Sequence, residues 1–420
     1  MKKLLYVTLS LLALLAGLAS CQRDVDNVSS GLDSYYYLPR MKKLKLIPAY
    51  TGNAYRWTVK TASGEDSLLS TEKDYIFLAE KEGTYDITFQ LDDGGRGYKF
   101  SFPIMVVHED VEYSPYTASV YEYKPAPGQF INTMPIYEEG DTEDMIRQKA
   151  EDDLVNDVMI SLGGYGGYVT FAFDHTVVNV PGKKDFFIKG NSFYSDIPEY
   201  KDQKGGSCEP GIVMVAFDRN MNGKPDDDEW YELAGSEYYK PTTLKNYTIT
   251  YHRPDASHVP VPDRTGNITD TEYVKWSDNL GATGYVAKNR FHPQNYYPQW
   301  SDADEWTFSG TLLPQNGVDM SGGRGTYFVL FSYPWGYADN HPNDEVDLCS
   351  FDIDWAVDKN GTKVHLPGVD FIRVYTGINQ SCGWIGETST EIARAQDLHI
   401  EVKQWFPDDP LAASARNERR

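Results

Sequence analysis

Short segments in which apolar and polar residues alternate run through most of this chain. The alternation is clear from Tyr55 to Val59 and again from Tyr85 to Leu91. It is typical of a half-buried β-strand, because successive side chains of a strand point to opposite faces of the sheet. Long runs at helical period are almost absent, and 35 glycines and 23 prolines are available for turns. The chain is therefore predicted to be all-β.

The N-terminus has the layout of a secreted lipoprotein. Lys2 and Lys3 precede an apolar run from Leu4 to Leu18, which is too short for a comfortable membrane span. The run ends in Leu-Ala-Ser-Cys, a lipobox pattern, so Cys21 is predicted to carry a lipid. A plain signal peptide and a short anchor helix are the alternatives. The acidic residues that follow Cys21 resemble a Bacteroidetes export signal, which implies an outer-membrane anchor that faces the cell exterior.

Turn signals between the alternating segments divide the sequence into two predicted β domains. The first is expected to be a small immunoglobulin-like sandwich, and the second a larger β-sandwich or jelly roll. A connector that is rich in tyrosine and proline joins them. The predicted boundaries are 1–21 for the signal peptide, 22–37 for a flexible tether, 38–108 for the small sandwich, 109–154 for the connector, 155–406 for the large ligand-binding domain and 407–420 for a polar tail.

One helix is predicted at the end of the connector, and seven strands are predicted in the large domain. One short helix is expected from Asp141 to Val155, because Asp141 or Thr142 can cap its N-terminus and acidic residues fill its first turn. The strands predicted in the large domain are Tyr168–Phe173, Asp185–Gly190, Gly211–Phe217, Tyr247–Tyr251, Tyr327–Phe331, Val369–Tyr375 and Leu398–Val402.

The charge of the chain restricts its partners. With 39 basic and 62 acidic residues, the formal net charge is −23 at pH 7. This balance argues against binding to nucleic acid and to anionic lipid surfaces. It is compatible with calcium sites, which are built from carboxylate and carbonyl oxygens.

One acidic loop, Asp218–Glu229, has the spacing of a calcium-binding loop. Oxygen-bearing side chains fall at its positions 1, 3, 5, 9 and 12, and Gly223 falls at the tight turn in position 6. Pro225 and the strand-like flanks depart from an EF-hand, so the ion is expected to be structural. A solvated acidic turn is the alternative. The predicted ligands are Asp218, Asn220, Asn222, the Lys224 carbonyl, Asp226 and Glu229.

Aromatic residues are concentrated in three stiff segments, Gly163–Tyr168, Phe291–Trp300 and Tyr333–Asn340. Rings held on such loops suit stacking on a sugar or another flat ligand, and packing within the sandwich is the alternative. The first segment is rich in glycine but lacks the Lys-Ser/Thr and the helix that a phosphate-binding loop needs. The predicted ligand contacts are Tyr165, Tyr168, Tyr296, Tyr297, Trp300, Trp335 and Tyr337.

Catalysis has little support, and the chain is predicted not to be an enzyme. It contains neither a Gly-x-Ser-x-Gly nor a His-Glu-x-x-His motif. A carboxylate pair for glycoside hydrolysis stays open, since such residues can come from distant strands.

Beyond Cys21, the cysteines are Cys208, Cys349 and Cys382, so at most one disulfide can form among them. Buried free thiols are expected, and Cys349–Cys382 is the one pair that merits a test.

Several stretches carry a resemblance to a known family. Beside residues 38–108, which are similar to PKD-like modules, the matching stretches are 166–175, 180–186, 209–215, 230–237 and 369–376. They resemble a family of Bacteroidetes cell-surface lipoproteins with an N-terminal PKD-like domain and a C-terminal calcium-loop β-sandwich. The resemblance implies a non-catalytic protein that captures a nutrient, with a cobamide (a vitamin B12-type corrinoid) favoured, beside a TonB-dependent transporter. The alternatives are a calcium-dependent glycan-binding protein, a glycoside hydrolase or its accessory, and a structural or adhesive protein.

Overall fold

A computed structural model describes residues 29–403, 405–406 and 408–412. The signal sequence and the predicted lipid attachment at Cys21 lie outside the described residues, as do most of the predicted tail and the first part of the tether. Within the described part of the chain, no helix is both long and apolar enough to cross a bilayer.

The described residues are almost all β, as predicted. Strands β1 to β8 span Tyr36–Pro39, Leu44–Leu46, Ala54–Lys60, Asp66–Ser70, Tyr75–Phe77, Gly83–Asp93, Arg96–Val107 and Ser119–Lys124. Helix α1 spans Glu143–Val155. Strands β9 to β18 span Ile160–Ser161, Tyr168–Ala172, Val177–Val178, Phe186–Lys189, Phe193–Tyr194, Gly205–Ser207, Gly211–Ala216, Trp230–Leu233, Leu244–His252 and Ile268–Asp278. Strands β19 to β28 span Thr283–Asn289, Glu305–Leu312, Gly317–Asp319, Phe328–Phe331, Ser350–Phe351, Ala356–Val357, Gly368–Val369, Phe371–Thr376, Glu391–Ile392 and Arg394–Asp397.

The chain divides into two compact units. The described residues of the first are 29–37, Lys45–Tyr75 and Thr84–Met105, and those of the second are Leu38–Leu44, Ile76–Gly83 and the described residues from Val106 onward. The first unit holds a five-stranded sheet with the order β1-β7-β6-β3-β4. In the second unit the main sheet has the order β24-β16-β15-β26-β10-β8, and smaller sheets have the orders β19-β18-β17-β20, β13-β14-β22-β21 and β23-β12-β28.

The core of the first unit follows from the alternation in its sequence. Trp57 on β3 pairs with Phe89 on β6, and their ring centroids lie 4.5 Å apart. Ile87, Phe89 and Leu91 are buried while the residues between them are partly exposed, so β6 keeps one face in the core. The indole N–H of Trp57 donates to the carbonyl of Glu72 over 3.0 Å, which satisfies the polar atom of a buried ring.

Three predicted strands form the centre of the second unit. Val213 on β15 pairs with Val374 on β26, which in turn pairs with Val169 on β10, and this row of valines is fully buried. Helix α1 packs its buried face into the same hydrophobic cluster. Thr142 caps the helix, because its hydroxyl oxygen accepts from the backbone N–H of Met145 over 3.3 Å.

One predicted strand is wrong. Residues 398–402 are not in a strand, and the pairing strand is β28, which ends at Asp397. The side chain of Asp397 accepts from the backbone N–H of His399 over 2.6 Å, which turns the chain away from the sheet. Local turn chemistry therefore overrides the alternating pattern of this segment.

The sheet β19-β18-β17-β20 has one aromatic face. On β17 the buried residues Tyr247, Ile249 and Tyr251 alternate with partly exposed threonines, so both rings point to the same face. Tyr251 pairs with Trp306 on β20, and Ile249 pairs with Phe308. This aromatic face forms a hydrophobic cluster of its own, and one side of the candidate site is built on it.

Candidate functional site

The acidic loop Asp218–Glu229 connects β15 to β16 and contains a tight turn. The carboxylate of Asp218 accepts from the backbone N–H of Asn222 over 3.0 Å and from that of Gly223 over 2.9 Å. Gly223 has φ +74°, the left-handed conformation that glycine adopts without strain. Asp218 therefore organises the turn from its first position.

The remaining predicted ligands converge on the same loop. The side-chain amides of Asn220 and Asn222 donate to one oxygen of Asp226, over 2.6 and 2.8 Å. The backbone N–H of Lys224 donates to the side-chain oxygen of Asn222 over 2.8 Å. Hydrogen bonds inside the loop thus occupy several of the oxygens that a cation would use.

Glu229 is the exception in this loop. It is only 2% exposed, and its Oε1 accepts from the backbone N–H of Arg219 over 2.8 Å. Its Oε2 is buried without a hydrogen-bond partner. Burial and the nearby Asp218 raise the pKa of Glu229, so an approaching cation would relieve an unfavourable environment.

The predicted ligand-binding aromatics do not form one surface. Tyr165, Tyr296, Tyr297 and Tyr337 are buried. Their burial fits the packing alternative, and ligand contact by these four residues stays a prediction. Tyr168 and Trp300 are partly buried.

Trp335 is the most open of the predicted aromatics, with 38% of its surface exposed. It packs against Trp355, with ring centroids 4.7 Å apart. It therefore lies in a different place from Tyr165, which contacts Tyr247 and Tyr375.

One predicted residue, Tyr165, lines a cavity of about 300 Å³ in the second unit. This tyrosine cavity has aromatic walls and a polar edge. The walls are Tyr165, Tyr247, Tyr251, Trp276 and Tyr285. The polar edge consists of Asp278, Gln315, Asn379, Gln380, Ser381, Glu387 and Thr388.

The glycine-rich segment explains how Tyr165 reaches the cavity. Gly163 and Gly166 have φ +69° and +84°, which turn the chain on both sides of Tyr165. A Cβ on Gly166 would lie 2.3 Å from the Cβ of Phe308, and one on Gly163 would lie 1.9 Å from the carbonyl oxygen of Ala126. The glycines therefore permit close packing before β10, and the segment is not a phosphate cradle.

Two residues that line the cavity each carry a buried polar atom without a hydrogen-bond partner. Tyr165 is 1% exposed and its hydroxyl makes no hydrogen bond. Glu387 is 7% exposed; its Oε1 accepts from the backbone N–H of Gln129 over 2.5 Å, while its Oε2 is unpaired. Burial raises the pKa of Glu387 to about 8, so its carboxyl group is largely protonated at neutral pH. A buried polar atom without a partner is unfavourable.

The other polar groups at the cavity are held in place by neighbours. The hydroxyl of Tyr247 donates to Asp278 over 3.0 Å and accepts from the amide of Asn379 over 3.2 Å. The amide of Gln380 donates to the hydroxyl of Thr388 over 2.8 Å. This support fixes the geometry of the edge, which a specific binding site requires.

A cluster of three carboxylates was not predicted from the sequence. The carboxylates of Glu209, Asp339 and Glu391 lie within 4.8 Å of one another. Among the described residues, none of the three forms an ion pair with a basic side chain. They accept hydrogen bonds instead from serine hydroxyls, the Asn191 amide and backbone N–H groups. Burial raises the pKa values of all three, that of Glu391 to about 7.

Glu209 and Glu391 also line a cleft of about 330 Å³, together with Phe291 and Trp384. The three acids come from distant parts of the chain, and none belongs to a recognisable motif. Spacing could not have selected them from 62 acidic residues.

The cysteines Cys208, Cys349 and Cys382 are buried free thiols, as expected. The pair Cys349–Cys382 is not joined. Burial raises the pKa of both Cys349 and Cys382 to about 12, which leaves them as unreactive thiols.

Comparison with known proteins leaves the family open. No family model matches the chain. Over 145 residues the chain is 25% identical to Endolysin 2638A of Staphylococcus phage 2638A. The match covers 28% of this chain and 29% of that protein. The chain thus spans less than a third of the length of this curated relative.

Two solved structures are similar over most of the chain at low identity. One was described in work on carbohydrate-binding modules of the β-sandwich superfamily. It is 13% identical to this chain, and the match covers 86% of this chain and 93% of that protein's chain, with a TM-score of 0.14. The other is a SusE-like protein, 9% identical, with 86% and 94% coverage and a TM-score of 0.22. Superpositions at these TM-scores do not establish a shared fold.

Proposed function

We propose that this chain is a non-catalytic surface protein that binds a saccharide in the tyrosine cavity. The observation that carries the proposal is a cavity with aromatic walls and a convergent polar edge. Small-molecule sites combine apolar walls with a few convergent polar groups in this way. Sugars match such a lining because each ring has apolar C–H faces and a rim of hydroxyls.

The size of the cavity favours the glycan alternative over a cobamide. A volume of about 300 Å³ is at the lower limit for small-molecule sites. It suits one sugar ring, whereas a corrinoid macrocycle would have to remain largely outside. Capture for a TonB-dependent transporter, and display on the outer membrane through a lipid on Cys21, remain part of the proposal and rest on the sequence.

Calcium in the loop Asp218–Glu229 is a further part of the proposal. The unpaired Oε2 of Glu229 and the turn organised by Asp218 support it, since calcium is bound by carboxylate and carbonyl oxygens. The ion would hold β15 and β16 together at their hairpin, away from the tyrosine cavity. Its role would be structural.

Glycoside hydrolysis is the second candidate, and one observation favours it. Glu209 and Glu391 are close together and line the same cleft, as the two carboxyl groups of a glycosidase do, and the raised pKa of Glu391 suits the general acid. Release of reducing ends from a polysaccharide, abolished by Glu391→Gln, would support catalysis. We expect no release.

The test of binding is calorimetric titration of the full chain, with calcium present, against a panel of monosaccharides and oligosaccharides and against cyanocobalamin. We expect a sugar to bind and Tyr285→Ala to weaken it, because Tyr285 lies at the open side of the cavity with 40% of its surface exposed. Tyr121→Ala is the matched control, since Tyr121 is exposed to the same extent and does not line the cavity. Binding of cyanocobalamin alone, or of no sugar, would contradict the proposal.

A further inference from the structure

We propose that Lys43 is an internal counter-ion of the acidic loop Asp218–Glu229, and that its charge weakens calcium binding to the range of extracellular modules. The inference rests on the proposed calcium site and names the residue that regulates it. Extracellular calcium modules have dissociation constants of about 10⁻⁴–10⁻³ M, and the charge of the ligands sets the affinity of such a loop. A positive charge held beside one of the ligands therefore lowers the affinity.

Lys43 lies beside Asp218, the first predicted ligand of the loop, although 175 positions separate the two residues in the chain. The ammonium nitrogen of Lys43 donates to the backbone carbonyl of Asp218 over 3.0 Å and lies 3.8 Å from the Oδ2 of the same residue. That Oδ2 also accepts from the backbone N–H of Gly223 over 2.9 Å. The ammonium group therefore adjoins the carboxylate that organises the turn.

A second carboxylate holds Lys43 in this position. The Oδ2 of Asp370 accepts from Lys43 over 2.9 Å and from the backbone N–H of Asp218 over 2.7 Å. The Oδ1 of Asp370 accepts from the hydroxyl of Thr176 over 2.6 Å. The ammonium nitrogen also lies 5.1 Å from the centroid of the Phe217 ring. Lys43 would have to break these contacts to move away from the loop.

The charge of Lys43 is poorly screened by solvent. The side chains of Lys43 and Asp218 are only 13% and 6% exposed, and partly buried charges are screened less than exposed ones. Because calcium–oxygen distances are about 2.3–2.6 Å, an ion on the Oδ2 of Asp218 would lie within about 6.5 Å of the Lys43 nitrogen. At that separation, repulsion of a divalent ion lowers its affinity about tenfold even at the dielectric constant of water.

The other end of the loop is not neutralised in this way. Among the described residues, Glu229 forms no ion pair with a basic side chain, and its Oε2 is buried without a hydrogen-bond partner. Lys43 thus compensates the acidic charge at the first position of the loop, while the carboxylate at the last position remains available to a cation. This arrangement weakens a calcium site without abolishing it.

The test compares Lys43→Met with the wild type, because methionine removes the charge and keeps a long side chain. Calcium binding to the full chain is measured by calorimetry, and terbium binding by luminescence excited through Trp230. We expect the dissociation constant for calcium to fall by about tenfold or more. The gain should be larger for terbium, since Coulomb repulsion grows with the charge of the ion. A purely structural ion pair would give a loss of affinity instead.

The melting temperature without calcium supplies a second measurement. In a chelator, Lys43→Met should melt at a lower temperature than the wild type, because Asp218 and Asp370 lose their shared counter-ion. Saturating calcium should reduce this difference, because the ion then replaces the missing charge. A lower melting temperature together with a tighter calcium site is the combination that an internal counter-ion predicts.

Two control variants separate the position of the charge from the net charge of the chain. Lys43→Arg keeps the charge and should stay within about threefold of the wild-type affinity. Lys42→Met removes the same charge from the neighbouring residue, which is exposed and whose ammonium nitrogen lies 5.7 Å from the centroid of the Tyr113 ring. It should also change the affinity by less than about threefold, because exposed charges are screened.

The outcomes distinguish the inference from the calcium site itself. A calcium affinity that is unchanged or lower in Lys43→Met, or an equal gain in Lys42→Met, would overturn the role of Lys43 and leave the calcium loop intact. If neither the wild type nor Lys43→Met binds calcium or terbium, both the inference and the proposed site are wrong. Binding that survives Glu229→Gln in the Lys43→Met background would place the ion elsewhere and also overturn both.

Discussion

The hydroxyl of Tyr251 donates a hydrogen bond to the backbone carbonyl of Tyr165 over 3.1 Å. The bond joins β17 to the glycine-rich segment before β10, and both residues line the tyrosine cavity. Because Tyr251 is buried in a regular strand, it provides a fixed support for a loop residue whose own hydroxyl is unpaired. The cavity therefore depends on a contact between residues 86 positions apart.

Removal of this bond should loosen the cavity. Tyr251→Phe leaves the buried carbonyl of Tyr165 without this donor, and we expect the free energy of unfolding to fall by about 1–3 kcal/mol. Urea denaturation followed by tryptophan fluorescence measures the change. Tyr121→Phe, at an exposed position, should alter the stability by less than about 0.5 kcal/mol. Equal effects of the two substitutions would mean that the Tyr251 bond is unimportant.

The close packing at Gly166 gives a second prediction. Gly166→Ala introduces a Cβ that would overlap Phe308 at a positive φ, so it combines backbone strain with overpacking. We expect a loss of about 2–5 kcal/mol. Gly182→Ala is the matched control: Gly182 has φ +74° but nothing within 4 Å of its Cβ position, so only strain of about 1–2 kcal/mol applies. Thermal denaturation of both variants separates the two contributions.

The calcium proposal predicts a response that Glu229 controls. Calcium should raise the melting temperature of the full chain, and Glu229→Gln should remove most of that rise. Terbium bound in the loop should luminesce on excitation of the adjacent Trp230. Asp227→Asn is the control, since Asp227 lies in the same loop but at a position that supplies no predicted ligand. A calcium response that survives in Glu229→Gln would rule out this loop as the site.

The buried carboxyl groups predict a dependence of stability on pH. Glu387 and Glu391 have folded-state pKa values of about 8 and about 7, above the ordinary value of 4.5 for an unfolded chain. Their stabilising effect is complete below about pH 4.5 and is lost as the pH rises through 7 and 8, because the folded state must then hold buried charge. Glu387→Gln should therefore flatten the decline in melting temperature between pH 5 and pH 8. A variant that keeps the wild-type slope would contradict the raised pKa.

The cysteines predict a pattern of chemical labelling. The native chain should react slowly with a thiol reagent at pH 7, because Cys208, Cys349 and Cys382 are buried and free. Denaturant should expose all three to the reagent. If only one of them reacts after unfolding without a reductant, two of the three are joined in a disulfide, which would contradict the free thiols.

The sequence determined the local features of this protein. Alternation defined the all-β class, a continuous apolar run defined the central strand Gly211–Ala216, and the capping pattern located helix α1 with Thr142 at its N-terminus. Spacing also defined the turn of the acidic loop, because its hydrogen bonds join residues only a few positions apart. Such features depend on neighbouring residues, so they can be inferred from a single chain.

Only the tertiary structure decided which residues form a site. The stiff loops containing Tyr296 and Tyr337 looked suited to a ligand, yet both rings are buried by residues from distant strands. Tyr165 and Glu387 are more than two hundred positions apart, and no local pattern pairs them at one cavity. Burial depends on the whole set of packed neighbours, and it decides both whether a ring is open to a ligand and whether a polar atom remains unpaired.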